Sequence, residues 1–388
     1  MKEKQVVFVT SGRSDYALLE PVLKRLATMS ESRAWGAKLM VTGAHCTHEG
    51  DGPAFMTWSG IPWQIINLYH TEPDPVNLYQ SKSMDSPAPN ELGLTIGTAV
   101  CSFAQAFSRT WPDLVFLMGD RYEVFAAAVA AYSMRIPIAH AYGGEYTHGS
   151  LDNGWRDSIT MLSRYHFASH RLYADRIRDM VGNAQQITAL PGYTSLDNLA
   201  EIPLLDRQAV LKHLAPQLSD GPYVLVTLHP DTTQSLEYNL RVLEEMLAGI
   251  DGAPEFNYII TPANQDPGGA EMNQRVSQWA VNRGNVARIP SAGIQLYLSL
   301  MLGAYCLLGN SSSGVIEAPY VGRPSINLGD RQLGRIRSLS VKDAPLNSQE
   351  IQGALRTFPP TVIQGTGNSE FNPGASDVII KTLGRILE

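Results

Sequence analysis

The segment Leu307–Glu317 joins an apolar run to a run of small polar residues and reads LLGNSSSGVIE. Its apolar start predicts a buried strand, and its end predicts a helix that begins near Gly314. The first N–H groups of a helix have no partner within the helix and lie at its positive dipole end, so small serines there let an anion approach. Glu317, one turn inside, is placed to accept both hydroxyls of a ribose. The segment predicts a nucleotide phosphate site, with a serine N-cap on a structural helix as the alternative.

Arginines follow predicted strands in three other loops. Arg13 lies in Ser-Gly-Arg-Ser-Asp, Arg121 in Gly-Asp-Arg, and Arg331 and Arg335 in Gly-Asp-Arg-Gln-Leu-Gly-Arg. A guanidinium stays charged and donates two parallel hydrogen bonds, which suits it to phosphate oxygens. Several arginines at strand ends therefore strengthen the prediction of a phosphate ligand.

Carboxylates and histidines also cluster at the ends of predicted strands. The residues concerned are Asp120, His140, Glu145, Asp152 and His229. Two of them have a structural alternative, because Asp152 also suits the cap of the helix that carries Arg156, and a histidine that ends a buried strand is often a satisfied core residue. The cluster predicts acid–base chemistry beside the phosphate site.

The run His45-Cys46-Thr47-His48 resembles a metal motif only superficially. Its two histidines are poorly spaced for one ion, and no second cluster of ligands follows. We predict neither a metal nor a cofactor, and we interpret His45 as a residue of the substrate cleft.

Composition sets the class of protein. The chain has 388 residues, of which 44% are hydrophobic and 17% charged, as is typical of globular proteins of more than one domain. Its net charge of −7 offers no broad basic surface for nucleic acid or anionic lipid. Three dispersed cysteines favour reduced thiols, and no apolar stretch approaches a membrane span, so we expect a cytoplasmic protein.

Short β-branched runs alternate with longer amphipathic stretches, and the pattern restarts after a predicted linker at 191–203. Alternation of this kind predicts an α/β fold with parallel sheets. We predict two Rossmann-like domains with a cleft between them, at 1–188 and at 189–374. The last helix, within 375–388, is expected to join the first domain.

In this order, the motifs resemble those of the hydrolysing UDP-N-acetylglucosamine 2-epimerases of sialic acid biosynthesis and of their relatives in legionaminic acid synthesis. The resemblance runs from about Val6 to Arg335 and rests on TSGRSDYAL, GDRYE, HAYGGE, TLHPDT, GNSSSGVIEAP and NLGDRQLGR. It implies a GT-B-like fold with UDP held mainly by the C-terminal domain. It also implies anti elimination of UDP to a glycal, followed by addition of water at C1 and protonation at C2.

The resemblance also implies roles for individual residues. The catalytic set comprises Asp120, His140, Tyr142, Glu145 and Asp152, with Asp120 and Asp152 at acid–base positions. The substrate-binding set comprises Arg13, Asp15, His45, Arg121, Arg156, His229, Asn264, Ser311, Ser312, Ser313, Glu317, Arg331 and Gln332.

Three positions depart from the family pattern at the sugar end. Tyr142 stands where a glutamate or histidine is usual, Asn153 where an acidic residue is common, and Asp157 where a histidine is usual. A tyrosine donates a proton or hydrogen bond but is a poor base near neutral pH.

The function expected from the sequence is conversion of UDP-GlcNAc and water to ManNAc and UDP. The altered sugar end leaves UDP-diacetylbacillosamine open as the substrate. A GT-B glycosyltransferase or an inactive UDP-sugar binder would also fit this architecture and nucleotide site. The expected partners are a UDP-sugar and further copies of the chain in a dimer or tetramer.

Overall fold

The structure is a computed structural model. It describes residues 3–29, 35–43, 61–66, 89–148, 150–182, 186–264, 266–289, 293–357 and 370–388, and only the backbone of 13–14 and 89–91 among these. The chain divides into two compact units. Unit 1 comprises Met1–Glu145, Asp152–Asn198 and Pro373–Glu388, and unit 2 comprises Tyr146–Leu151 and Leu199–Asn372.

Unit 1 contains a parallel sheet of seven strands in the order β3-β2-β1-β4-β5-β6-β7. The strands are β1 (Lys4–Thr10), β2 (Trp35–Val41), β3 (Trp63–Ile65), β4 (Leu114–Met118), β5 (Ile138–Ala141), β6 (Tyr165–Ala168) and β7 (Ile187–Ala189). Every residue of β4 and β5 is buried, as expected where helices cover both faces of a parallel sheet. The sheet order brings the carboxyl ends of β1, β4 and β5 side by side.

The helices of unit 1 follow from amphipathic patterns in the sequence. They are α1 (Arg13–Thr28), α2 (Pro89–Thr110), α3 (Tyr122–Ser133), α4 (Asn153–Leu162) and α5 (Arg171–Val181), while α6 (Ser195–Glu201) contains the boundary between the units, and α13 (Ala375–Leu387) returns to unit 1. The alanine-rich α3 buries most of its residues. The buried Asp197 carboxylate accepts hydrogen bonds from the N–H and hydroxyl groups of Ser376, which fixes the start of α13.

Unit 2 contains a parallel sheet of six strands in the order β10-β9-β8-β11-β12-β13. The strands are β8 (Tyr223–Thr227), β9 (Asn257–Ile260), β10 (Val286–Arg288), β11 (Cys306–Gly309), β12 (Ser325–Leu328) and β13 (Val341–Ala344). Its helices are α7 (Arg207–Leu214), α8 (Leu236–Asp251), α9 (Gly269–Trp279), α10 (Gly293–Gly303), α11 (Glu317–Tyr320) and α12 (Ser348–Thr357). The carboxyl ends of β8 and β11 are therefore neighbours.

Two sequence predictions of local structure are wrong. The predicted linker at 191–203 contains α6, because its apolar Leu196 and Leu199 pack into the interior. The helix predicted to begin near Gly314 is instead a 3₁₀ turn at Ser312–Gly314 followed by the short α11. Pro319 lacks the N–H group that a continuous helix needs, and its ring is tolerated only in a first turn.

The domain boundaries at 188/189 and 374/375 stay predictions. In the described part of the chain, no helix is long and apolar enough to cross a membrane.

Candidate active site

Asp15 organises the loop between β1 and α1. Its carboxylate accepts hydrogen bonds from the N–H of Gly12 at 2.6 Å and the N–H of Ser11 at 2.7 Å, and from the Ser11 hydroxyl at 3.1 Å. Burial raises the pKa of Asp15, while these hydrogen bonds and the nearby Arg121 charge act in the opposite direction. Because both oxygens are occupied and the side chain is buried, this placement favours a role in shaping the loop over substrate contact.

Arg121 follows β4 and pairs with Glu123. Its Nε and Nη2 atoms donate to the two Glu123 carboxylate oxygens, each at 3.2 Å. Burial opposes the charge on Arg121, but Glu123, Asp15 and Tyr122 together outweigh it, with Glu123 contributing most, and raise the pKa of the guanidinium. Arg121 is therefore a fixed cation at the carboxyl end of β4, as a phosphate ligand requires.

Asp120 is held by the buried Arg156 of α4. One Asp120 carboxylate oxygen accepts from Arg156 Nη2, and the Asp120 side chain remains 23% exposed. Arg156 also donates through Nη1 to the Glu145 carbonyl at 3.2 Å and to the Asn153 amide oxygen at 3.1 Å. Within the described part of the chain, the second Asp120 oxygen has no hydrogen-bond partner. The arrangement orients a carboxylate that keeps one oxygen available for a proton.

His140 is fully buried at the end of β5, and both ring nitrogens are engaged. Nε2 donates to the Gly119 carbonyl at 2.8 Å, and Nδ1 faces the Thr160 hydroxyl at 3.1 Å. Burial lowers the pKa of His140 to about 3, so the ring is neutral at physiological pH. This geometry favours a role in tying β4, β5 and α4 together, and the catalytic role that the resemblance implies for His140 stays a prediction.

Tyr142 adopts a left-handed backbone conformation with φ +69° that directs its ring into the interior of unit 1. Its hydroxyl lies 2.7 Å from the Thr194 hydroxyl and accepts the Thr194 N–H at 2.9 Å. The ring packs 5.1 Å from that of Tyr193, and burial raises the pKa of the phenol. The placement favours a structural role at a position where the family has an acidic or basic residue.

The variant Tyr142→Phe tests that placement. We expect a loss of about 1–2 kcal/mol in the free energy of unfolding, because the Thr194 N–H loses its buried acceptor, and turnover within about 3-fold of the parent. Urea unfolding and a UDP-release assay measure the two quantities. Tyr258→Phe, which removes a buried bond to the Ala253 carbonyl in unit 2, is the matched control. A turnover loss above about 100-fold in a fully stable protein would show that Tyr142 takes part in the chemistry.

Glu145 is fixed by contacts to both its side chain and its backbone. Its carboxylate accepts from the Ser169 hydroxyl at 2.7 Å, and its carbonyl accepts from Arg156 and Arg176, each at 3.2 Å. Arg176 also makes two bonds to Asp157, at 2.7 and 3.0 Å. Glu145 is 2% exposed, so the structure places it as an anchor of the loop after β5.

Asp152 immediately precedes α4 and is half-buried. It occupies the predicted N-cap position of α4, but its side chain makes no capping hydrogen bond. Among the five residues predicted as catalytic, Asp120 and Asp152 are the two that are not buried. These two partly exposed carboxylates are therefore the members of the predicted set that solvent can reach.

In unit 2, His229 follows β8 and is oriented by its neighbours. Its Nδ1 accepts the Asn264 N–H at 3.1 Å, so the neutral ring carries its proton on Nε2. Burial, followed by the Arg331 charge, lowers the pKa of His229 to about 3. His229 is therefore a neutral donor whose Nε2–H has no partner among the described residues.

The serine segment forms a hydroxyl cluster after β11. Ser311 caps the 3₁₀ turn, its hydroxyl lies 2.9 Å from that of Ser313, and the latter lies 2.5 Å from the Tyr297 hydroxyl. Ser312 opens the 3₁₀ turn, and the buried Glu317 opens α11. The residues predicted to bind an anion therefore lie in a tight turn with clustered hydroxyls, and not at the N-terminus of a long helix.

Arg331 and Gln332 both form a hydrogen bond to the backbone carbonyl of Asn310. Arg331 Nη1 and Gln332 Nε2 donate to the Asn310 carbonyl at 3.3 and 2.9 Å. Gln332 is 1% exposed, which favours a positioning role for it over substrate contact.

Two predicted residues stay without a structural account. His45 lies outside the described residues, and of Arg13 only the backbone is described, as the first residue of α1. Within the described ranges, no group of three or more histidine, cysteine or acidic side chains is arranged to hold a metal ion.

Sequence reasoning missed several residues that hold the site together. Glu123, Ser169, Tyr297 and Asn310 each bond directly to a predicted site residue or its neighbour. Glu123 and Asn310 lie inside the GDRYE and GNSSSG motifs, so their motif positions were an available signal. No local signal marks Ser169 or Tyr297, because their contacts cross between elements.

The sequence pattern that describes UDP-N-acetylglucosamine 2-epimerases matches residues 31–381. The chain belongs to this family. The match confirms the resemblance drawn from the motifs, and it covers every predicted site residue except Arg13 and Asp15, which precede it.

Relatives within and around this 2-epimerase family are similar along most of their length. The Campylobacter jejuni GDP/UDP-N,N'-diacetylbacillosamine 2-epimerase (hydrolyzing) is 28% identical over 354 residues, covering 89% of this chain and 86% of the relative. The Escherichia coli polysialic acid biosynthesis protein P7 is 28% identical over 379 residues, covering 96% and 91%.

A crystal structure of UDP-GlcNAc 2-epimerase from Neisseria meningitidis, bound to UDP-GlcNAc, shares the fold. It superimposes with a TM-score of 0.78 at 19% identity, over 98% of this chain and 100% of the other. This similarity confirms the predicted α/β, GT-B-like fold class.

Proposed function

We propose that this 2-epimerase is a hydrolysing enzyme that converts a UDP-linked 2-acetamido sugar and water to UDP and the free 2-epimerised sugar. The observation that carries the proposal is Asp120, whose carboxylate is oriented by Arg156 through one oxygen and keeps the other available. A base held in this way suits removal of the C2 proton. Family membership and relatives named as hydrolysing 2-epimerases support the reaction class.

The proposed first step is elimination. The C2 proton beside an acetamido group is weakly acidic, so cleavage of the C1–oxygen bond leads and Asp120 takes the C2 proton. The bond electrons leave with the diphosphate, giving UDP and a glycal. In unit 2, the Ser311–Ser313 hydroxyls and the His229 Nε2–H are the groups that would stabilise the departing charge.

The second step is hydration of the glycal. Water adds its oxygen to C1 and gives up a proton, while Asp152, in its protonated form, gives a proton to C2 from the face opposite Asp120. Asp152 then regains a proton from the added water, and Asp120 releases the proton taken from C2 to solvent. The products are therefore UDP and the 2-epimer, and both carboxyl groups return to their starting forms. Dividing the two proton transfers between two carboxylates accounts for inversion at C2.

UDP-GlcNAc is the proposed substrate, with ManNAc as the released sugar. UDP-diacetylbacillosamine is the second candidate, because the relatives from Campylobacter jejuni and Legionella pneumophila carry that substrate in their names. The inward placement of Tyr142 also removes a family polar group from the sugar end.

Proton NMR of the enzyme with UDP-GlcNAc in deuterated water tests the reaction. We expect free UDP and ManNAc that carries deuterium at C2, because the proton added in the second step comes from solvent. Unlabelled GlcNAc would instead show simple hydrolysis and contradict the elimination. An unchanged UDP-GlcNAc sample beside a consumed diacetamido nucleotide would assign the second substrate, and no reaction with either would overturn the proposed function.

A further inference from the structure

The Asn310 side chain makes two opposite hydrogen bonds to the backbone of His229. Its amide oxygen accepts the His229 N–H at 2.7 Å, and its amide nitrogen donates to the His229 carbonyl at 2.8 Å. Asn310 is 4% exposed, so it is not placed to contact a ligand. The two bonds require a side chain with one donor and one acceptor, which asparagine has and aspartate lacks when ionised.

The residue before Asn310 allows the backbone to lie close to the end of β8. Gly309 has φ +135°, and a Cβ atom there would lie 2.0 Å from the Thr227 carbonyl oxygen. The Asn310 N–H donates to that same carbonyl at 3.1 Å. A glycine at 309 therefore brings Asn310 close enough to reach past the end of β8 to His229.

The backbone of Asn310 holds a second loop. Its carbonyl accepts from Arg331 Nη1 and Gln332 Nε2, so the residue bonds both to His229 and to the loop after β12. Ser311 is its neighbour in the chain. Asn310 thus fixes the relative placement of His229, Arg331 and Ser311, which are three of the predicted substrate-binding residues.

We propose that Asn310 is a positioning residue of the nucleotide site, which aims the His229 Nε2–H and the Arg331 guanidinium at the diphosphate. The inference rests on the proposed function, since it assigns the aimed groups to UDP. It requires a neutral side chain at 310, because an ionised carboxylate would face the His229 carbonyl with no proton to donate.

Another buried asparagine in unit 2 both donates to and accepts from a single residue, and it supplies a matched control. Asn257 donates to the Ser219 carbonyl at 3.0 Å and accepts from the Ser219 hydroxyl at 3.3 Å. It is 5% exposed and begins β9, at the amino end of the sheet and away from His229. The variant Asn257→Asp repeats the chemical change of Asn310→Asp without touching the proposed site.

UDP affinity by isothermal titration calorimetry, at about pH 8 and about pH 5, tests the inference. For Asn310→Asp we expect UDP to bind at least about 30-fold more weakly than to the parent at pH 8, equal to about 2 kcal/mol. At pH 5 we expect the deficit to shrink to about 5-fold, because burial and the facing His229 carbonyl raise the pKa of the introduced carboxyl group. Its protonated form donates to the His229 carbonyl as the amide does. UDP itself titrates in this range, so each variant is compared with the parent at the same pH.

Two further variants separate positioning from charge and from folding. Asn310→Ala carries no charge and should bind UDP at least about 10-fold more weakly at both pH values, because its two bonds are lost at either pH. Asn257→Asp should follow the parent within about 3-fold at both. Thermal melting of each protein without UDP shows whether it is folded. If Asn310→Asp is unfolded at pH 8, the affinity of Asn310→Ala for UDP decides the test.

Parent-like affinity of Asn310→Ala would overturn the inference, and so would an equal UDP deficit in Asn257→Asp. A deficit of Asn310→Asp that stays constant with pH would also overturn it. Failure of the parent itself to bind UDP would overturn the proposed function and this inference together, which distinguishes the two failures.

Discussion

Asp120→Asn should lower the rate of UDP release by about 1000-fold, with KM changed by no more than a few-fold. The amide keeps the size of the carboxylate but does not accept the C2 proton, and a positioned general base contributes about 100- to 10,000-fold to rate. Steady-state release of UDP from UDP-GlcNAc, or from the diacetamido nucleotide if that is the substrate, measures the effect.

The control for this variant lies at the other end of the same strand. Asp113 just precedes β4, is exposed, and accepts the Gln5 N–H at 2.8 Å. Asp113→Asn should retain turnover within about 2-fold, because its carboxylate is remote from the carboxyl ends of the strands. A loss below about 10-fold in Asp120→Asn would contradict the assignment of Asp120 as the base.

Arg156→Met should lower turnover by about 100-fold and the free energy of unfolding by about 3 kcal/mol. The Arg156 side chain is 5% exposed and bonds to Asp120, to the Glu145 carbonyl and to Asn153. Its loss separates Asp120 from its buried cation, while the Glu145 carbonyl keeps its bond to Arg176. Because the Asp120 side chain is 23% exposed, water offsets part of the cost. Turnover and urea unfolding are measured on the same preparation.

Two comparisons make the Arg156 result specific. Arg156→Lys keeps the charge but not the planar fork, so it should fall between the parent and Arg156→Met in turnover. Arg178→Met removes an exposed pair with Asp175 on the neighbouring helix α5, and should change stability by less than about 0.5 kcal/mol. Full turnover in a destabilised Arg156→Met protein would show that Arg156 serves the fold alone.

The parallel α/β architecture follows from local patterns that need little tertiary information. β-branched runs such as Val6–Val9 and the apolar Leu114–Met118 are strands in any arrangement that buries them. The elements that sequence reasoning missed, such as β10 and β13, are short and polar enough at their exposed edges to resemble loops. The break at Pro319 shows the converse, because a helical pattern did not override the backbone chemistry of proline.

The predicted site residues divide according to where their side chains point. The motifs placed polar residues at the carboxyl ends of strands, and the structure finds Asp120, Arg121 and His229 there. It also turns His140, Tyr142 and Glu145 inward, where long-range partners such as Thr160, Thr194 and Ser169 occupy their polar atoms. Spacing along the chain carries no information about those partners.

The sequence alone determined the fold class, the family and the chemistry available at the strand ends, because strand periodicity and motif order are local properties of the chain. Only the tertiary structure decided which polar side chains remain open. Asp120 keeps one carboxylate oxygen available, whereas both ring nitrogens of His140 are occupied. The difference comes from the groups that other elements bring into contact with each side chain. Those groups arrive through packing, so their effect on each side chain exists only in the folded protein.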